Sequence, residues 1–236
     1  MYFNNFEKIA YDINGDGVDD VIVNLTQLVK VAASMVANKA YFEDITIMEG
    51  ERPDQLSYRL YGSTQYYWTF LMLNESIKNI WDDWPKTSTQ LVEFSERKYE
   101  HLAATTNDDL VGKFIIGEDI IGANGGIATV KEIHVNNKFL VLEPKSGEFQ
   151  ETGESIYGLD SQDSIMSLQV RSKAHAPMWH IDSSGGNITA PRTAGTHPYT
   201  FFHWELMKND KNRFIHAFKP EHVEEISQAI MSEMNS

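Results

Sequence analysis

Residues 51–76 read ERPDQLSYRLYGSTQYYWTFLMLNES, and this stretch decides the fold. It predicts two short helices joined at Gly62. Pro53 suits the first turn of the first helix, where a missing N–H costs nothing. Leu56 and Leu60 lie four apart and share a face. Gly62 suits the left-handed residue that ends a helix. The second helix is expected from about Thr64 to Asn74. There Tyr66, Tyr67, Trp68, Phe70, Leu71, Met72 and Leu73 leave almost no polar face. A helix that is apolar all round is buried all round, and a unit of about 40 residues cannot surround it alone. Either the rest of the chain covers it or a partner does. Tyr66, Tyr67, Trp68, Phe70 and Leu71 are therefore the candidate partner-binding residues.

Working outward, ITIMEGERP places a short strand and a Gly turn before the first helix. Residues 7–24, EKIAYDINGDGVDDVIVN, hold two β-leaning runs around a turn-rich centre, which signals a hairpin. Asp12, Asn14, Asp16 and Asp20 in that centre match the start of a calcium loop, in which oxygens at alternate positions converge on one ion. Val23 stands where the bidentate Glu of a twelve-residue loop belongs, so a shorter loop ending at Asp20 or a plain solvated turn are the open readings. Residues 25–40 have helical spacing at Leu28, Val31 and Met35, and read equally as an extended arm.

Downstream, IWDDWP leads into QLVEFSERKYEHL, a helix. Residues 108–172 turn β-branched and Gly-rich, with an internal repeat. Gly117-Glu118-Asp119-Ile120-Ile121-Gly122 is echoed by Gly153-Glu154-Ser155-Ile156-Tyr157-Gly158, 36 residues later. Short period-2 runs with frequent turns predict a small all-β barrel or sandwich, inserted into an older chain. Residues 173–200, rich in Ser, Gly, Thr and Pro, predict a long loop. TFFHWELMKNDKNRFIHAF is expected as a hairpin turning at Lys208–Lys211. A final amphipathic helix carries Val223, Ile226, Ile230 and Met231 on one face. The expected organisation is thus α+β, with a hairpin and arm over 1–44, the helix pair and a connecting helix over 45–107, the β module over 108–172, and loop, hairpin and helix over 173–236.

Composition narrows the function. The 236 residues carry a net charge of −14 and no cysteine. Nucleic-acid binding needs clustered Lys and Arg, so no nucleic-acid partner is expected. Disulfides and thiolate chemistry are excluded. No apolar run reaches ~18 residues, so no membrane span is expected, and MYFNNFEKIAYD does not read as a signal peptide. No nucleophile-elbow, zinc-helix or phosphate-loop pattern is present. His203 and Glu205 would alternate on one strand and share a metal only with a third ligand. The sequence points to no specific carboxylate pair for glycoside hydrolysis. No enzyme is expected.

Gly50, Pro53, Leu56, Tyr61, Gly62, Tyr67, Trp68, Leu71 and Asn74 fall on one line, preceded by YFEDITI and followed by IWDDWP. That line resembles the lysine-motif (LysM)-like segment of the phage baseplate wedge protein 53 family. The N-terminal hairpin and the C-terminal helix resemble the family too. The likeness covers roughly 1–95 and 200–235 and leaves 108–172 unaccounted for. It implies a LysM-like βααβ unit in a structural subunit of a contractile tail baseplate, located in the virion. It implies contacts with other wedge proteins and with central hub or tail-tube proteins, in several copies around a ring. A glycan-binding LysM module has Gly-Asp-Thr before its first helix and a closing Gly-Gln-x-Leu-x-Ile-Pro strand. Here Gly50-Glu51-Arg52-Pro53 replaces the first, and the second is expected to be absent. The alternatives are a LysM-type peptidoglycan-binding or wall-degrading virion protein, and a calcium-dependent β-module adhesin on the tail.

Overall fold

A computed structural model describes residues 8–12, 15, 17–23, 40–185, 188–189 and 195–234. The segment expected as a helix or arm over 25–40 lies, but for Ala40, outside them. In chain order, β1 (Lys8–Tyr11) and β2 (Asp20–Val23) form the expected antiparallel hairpin. Then come β3 (Phe42–Thr46), α1 (Pro53–Tyr61), α2 (Trp68–Leu73), α3 (Ile80–Asp83) and α4 (Ser88–Lys98). Six strands follow: β4 (Leu102–Thr106), β5 (Asp119–Gly122), β6 (Ile127–His134), β7 (Phe139–Ser146), β8 (Ser155–Gly158) and β9 (Ser164–Ser172). The last elements are β10 (Pro177–Ile181), β11 (Ile188–Thr189), β12 (His197–Thr200), α5 (Phe201–Lys211), β13 (Phe214–Phe218) and α6 (Val223–Met234). They divide into two units. One joins Met1–Thr87 to Asn209–Ser236, and the other is Ser88–Lys208.

In the first unit, β3 pairs antiparallel with β13, Phe42 opposite Phe218 and Thr46 opposite Phe214. The partner of β3 comes from far down the chain, and its sequence, FIHAF, does not carry the Gly-Gln-x-Leu-x-Ile-Pro pattern. One face of the two-stranded sheet packs Ile215 and Ala217 with Leu56, Phe70, Ile77 and Trp84. A second cluster joins Trp68 and Leu73 to Phe42, Phe218, Val223, Ile226 and Ile230. So α2 lies between the sheet and α6, with Phe70 turned to one and Trp68 to the other. A helix apolar all round is what that position requires. Burying two such side chains is worth on the order of 2–3 kcal/mol each.

The helix pair departs from expectation in one detail. Thr64–Tyr66 form a 3-10 turn, and the α-helix begins only at Trp68. Ser57 explains it: its hydroxyl donates to Ser63 O at 2.6 Å and accepts the Tyr66 N–H, while Ser63 Oγ accepts the Gln65 N–H. These bonds draw the chain into the tighter turn. The C-terminal hairpin is also corrected, to helix α5 followed by β13. Thr200 caps α5, its hydroxyl accepting the His203 N–H, and His203 Nδ1 accepts the Thr200 N–H in return. This is a capping box with His in the usual Glu place. Asn209 of the expected turn, and Asn212 just past it, do other work. Asn209 Oδ1 accepts the Lys86 N–H and its amide donates to Lys86 O, and Asn212 donates to Asp83 O. The chain therefore leaves the first unit just after Lys86 and re-enters beside it at Asn209. An insertion with adjoining ends leaves its host fold undisturbed.

In the second unit, the β module is a closed antiparallel barrel in the order β4-β7-β6-β5-β8-β9. The long loop expected over 173–200 is, among the described residues, a 3-10 turn and a three-stranded sheet in the order β11-β10-β12. Trp179 stacked on Tyr199, with centroids 4.9 Å apart, holds β10 to β12. Low apolar content concealed strands stabilised by aromatic pairing.

The internal repeat has a physical reading. β5 and β8, its two copies, pair antiparallel with Ile121 opposite Tyr157, themselves 36 residues apart. Ile120 then faces Gly158, and Gly122 faces Ile156, so the copies exchange around a local two-fold. Ile120 and Ile156 enter the core. Glu118 is buried and accepts the N–H groups of Ile115 (2.6 Å), Asp160 (3.1 Å) and Ser161 (3.0 Å). Glu154, equally buried, accepts those of Asn124 (2.8 Å) and Gln150. Each carboxylate sits over the final glycine of the other copy. A Cβ on Gly158 would lie 2.7 Å from Glu118 Oε2, and one on Gly122 would clash with the Glu154 carboxylate. The Gly-Glu-x-Ile-x-Gly spacing is thus a lock of two carboxylates on four loops.

Burial pushes the Glu118 carboxyl up. The hydrogen bonds from Ser161, Ile115 and Asp160 together outweigh it and hold the pKa below the ordinary 4.5. A depressed pKa stabilises the fold above the unfolded-state value, and that stability is lost as pH falls through the folded one. Glu118→Gln is expected to cost about 2 kcal/mol at neutral pH. It should also flatten the loss of stability between about pH 5 and pH 3. Denaturant unfolding across that range measures both. Gly122→Ala is expected to cost about 1–3 kcal/mol by overpacking.

Candidate partner-binding surfaces

The aligned residues of the helix pair each have a structural task. Gly50 takes φ 74° in the turn before α1. Pro53 opens α1, and Gly62, at φ 68°, closes it with its N–H on Tyr58 O. Tyr61 donates its hydroxyl to Phe218 O at 3.0 Å. Burial, with the charge of Glu43 added, pushes that hydroxyl well above its ordinary pKa, so it remains a donor. Asn74 is buried and takes both backbone groups of His216. Its Oδ1 accepts the His216 N–H at 2.8 Å and its Nδ2 donates to His216 O at 2.9 Å. A side-chain amide thus stands in for a neighbouring strand. Tyr61 and Asn74 bind β13, the strand that lies beyond the insertion.

Of the candidate partner-binding residues, Trp68 (1% exposed) and Phe70 (0%) belong to the core. They are corrected to framework, because α6 and the sheet cover them. Tyr66, Tyr67 and Leu71 are half-buried and keep an accessible edge. The more exposed apolar residues were not singled out from the sequence. Trp81 on α3 is 84% exposed, although Trp84, three residues on, is buried with its indole N–H on Glu51 O. The outward face of the β3–β13 sheet carries Met48 and Phe214 beside the Asp44–His216 pair, which meets at 2.7 Å. Alternation along β13 was the signal: Phe214 and His216 face out where Ile215 and Ala217 face in.

The candidate metal ligands do not come together. His203 is exposed on the first turn of α5. Glu205 is buried, accepting from Lys98 Nζ at 2.8 Å and from the Tyr99 hydroxyl at 2.6 Å. Among the described residues no group of three His, Asp or Glu is arranged to hold a metal. In the proposed calcium loop, Asn14 and Asp16 lie outside the described residues. Asp12 accepts the N–H groups of Gly15 and Gly17, both at 2.7 Å. Asp20 opens β2.

Asn74→Ala leaves two part-buried backbone groups of His216 without their side-chain partner, at about 1–2 kcal/mol each. It is expected to destabilise the first unit by about 2–4 kcal/mol. Tyr61→Phe should cost about 1 kcal/mol, and Trp81→Ala should leave stability within about 0.5 kcal/mol. Chemical denaturation monitored by far-UV circular dichroism ranks the three.

Residues 1–113 match the model of the family described as base plate wedge protein 53. No curated protein matches the chain. The matched segment contains the hairpin, β3, the whole helix pair and the residues that anchor β13. Over those residues, just under half of its length, the chain is similar to the base plate wedge protein 53 family.

Proposed function

We propose that this chain is the wedge subunit that joins neighbouring wedges and helps close the baseplate ring around the central hub. Its partners would be other wedge proteins and the hub or tail-tube proteins, and its mechanism adhesion rather than chemistry. The observation that carries the reading is the set of large apolar residues exposed among the described residues of the first unit. A chain with a net charge of −14 nonetheless presents Trp81, Phe214 and Met48 to solvent. Exposed apolar groups on a protein of an assembled particle mark contact surfaces. Half-buried Tyr66, Tyr67 and Leu71 would extend them, and large permanent interfaces are apolar in this way.

A second reading, wall binding, draws on the βααβ arrangement itself. The loop before α1 speaks against it. The Glu51 carboxylate accepts from Arg59 Nε at 2.6 Å and from the Met48 N–H at 3.0 Å, while its carbonyl takes the Trp84 indole. Its polar groups are committed within the fold rather than offered to a sugar.

The test is parallel sedimentation with insoluble peptidoglycan and size-exclusion with purified wedge proteins. The chain should stay in the peptidoglycan supernatant and co-elute with a wedge protein. Trp81→Ser with Phe214→Ser should weaken that complex by about tenfold or more with the circular dichroism spectrum unchanged. Retention by the wall, competed off by chitin oligomers, would replace the wedge reading with a working glycan-binding module.

A further inference from the structure

The barrel has two opposite walls, both apolar on the outside, and among the described residues its own unit covers only one. On β4 and β7, outward Ala103, Phe139 and Val141 are buried under Ala176 and Phe201. The order β4-β7-β6-β5-β8-β9 sets β5 and β8 across the barrel from them. There, outward Ile121 lies opposite Tyr157, and Tyr157 opposite Ser164, with Met166 and Leu168 continuing along β9. These residues are exposed, Met166 by 54%. Diagonal neighbours on paired strands lie about 7–8 Å apart, so they form one continuous strip. Leu159 prolongs it at the end of β8. Glu118, which holds both Ile115 and Asp160, brings exposed Ile115 to the same end.

Along β8 and β9 the charge beside this strip is one-sided, whereas on β5 Asp119 holds Lys145 at 2.6 Å. Residues 146–170, which supply β8, β9 and their loops, contain no Lys, Arg or His and five carboxylates. Of these Glu148, Glu151 and Asp160 are exposed, whereas Glu154 is spent inside the lock. A second copy of so acidic a chain would meet repulsion here.

We infer that the β5–β8–β9 wall of the barrel docks a different baseplate subunit, one that offers an apolar patch bordered by Lys or Arg. This rests on the baseplate reading and adds to it a second, separate contact made by the inserted unit. The apolar strip would supply the buried centre of the interface and the carboxylate rim its register and specificity.

The test places the photo-crosslinking residue p-benzoylphenylalanine at Tyr157, at Lys131 on the β6 wall as a control, and at Phe214 in the first unit. Particles assembled in infected cells are irradiated and the linked peptides sequenced by mass spectrometry. The expected result is a link from Tyr157, absent from Lys131, to another baseplate protein beside basic residues. Glu151→Lys with Asp160→Lys should reduce its yield several-fold. A link to a second copy, a link to an acidic segment, an unaltered yield in the double variant, or no link from Tyr157 would overturn the inference. Links from Phe214 without any from Tyr157 would overturn it while leaving the wedge assignment in place. Silence at Phe214 would count against that assignment instead.

Discussion

The pairing of β3 with β13 is the constraint on which the first unit depends. A two-stranded sheet is marginal by itself, and these two strands are separated by the whole inserted unit. Closing so long a loop costs entropy, though the cost grows only slowly with length. The chain meets it with directed bonds at the far strand. Asn74 supplies a donor and an acceptor to His216, Tyr61 reaches Phe218 O, and Asn209 ties itself to Lys86 at the root of the insertion. With β13 in place, α2 gains its second covering in α6, and both apolar clusters close.

The inserted unit solves a different problem with a similar economy. Its repeat pairs with itself, so each Glu needs a glycine opposite and each glycine makes room for the other copy's Glu. Ile120 and Ile156 fill the core from the same two segments. Such a barrel is stabilised from within, which leaves its outer walls free for contacts. One wall is taken by the 3-10 turn and α5 of its own unit.

Much of this was legible in the sequence wherever local chemistry decides structure. Pro53, Gly62 and the apolar spacing gave α1 and its cap; the turn residues gave the β1–β2 hairpin; the repeat and its β-branched runs pointed to the barrel. Other features depended on partners distant in sequence. Nothing near Phe214–Phe218 says that it pairs with residues 42–46. Lys208–Lys211 looked like a turn because Asn and Asp favour turns, yet Asn209 and Asn212 were needed as buried hydrogen-bonding groups. Thr200 and His203 did carry a readable cap, hidden by reading the segment with a strand's period. Burial was read correctly for Trp68, Phe70 and Leu73, while Leu71 and Met72 stay half-buried, and burial alone could not tell the chain's own α6 from a foreign partner. For the same reason Trp81, within a four-residue helix, gave no sequence signal of its exposure.

The likeness of residues 1–113 to the base plate wedge protein 53 family supports a place in the tail baseplate, and the outward residues of the first unit, Met48, Trp81 and Phe214, are the surfaces through which it would act there. The most direct test of the wedge-joining account is electron microscopy of baseplates assembled from purified components with and without this chain. The account predicts closed rings when it is present and separate, otherwise complete wedges when it is left out. Rings that close equally well without it would contradict the account.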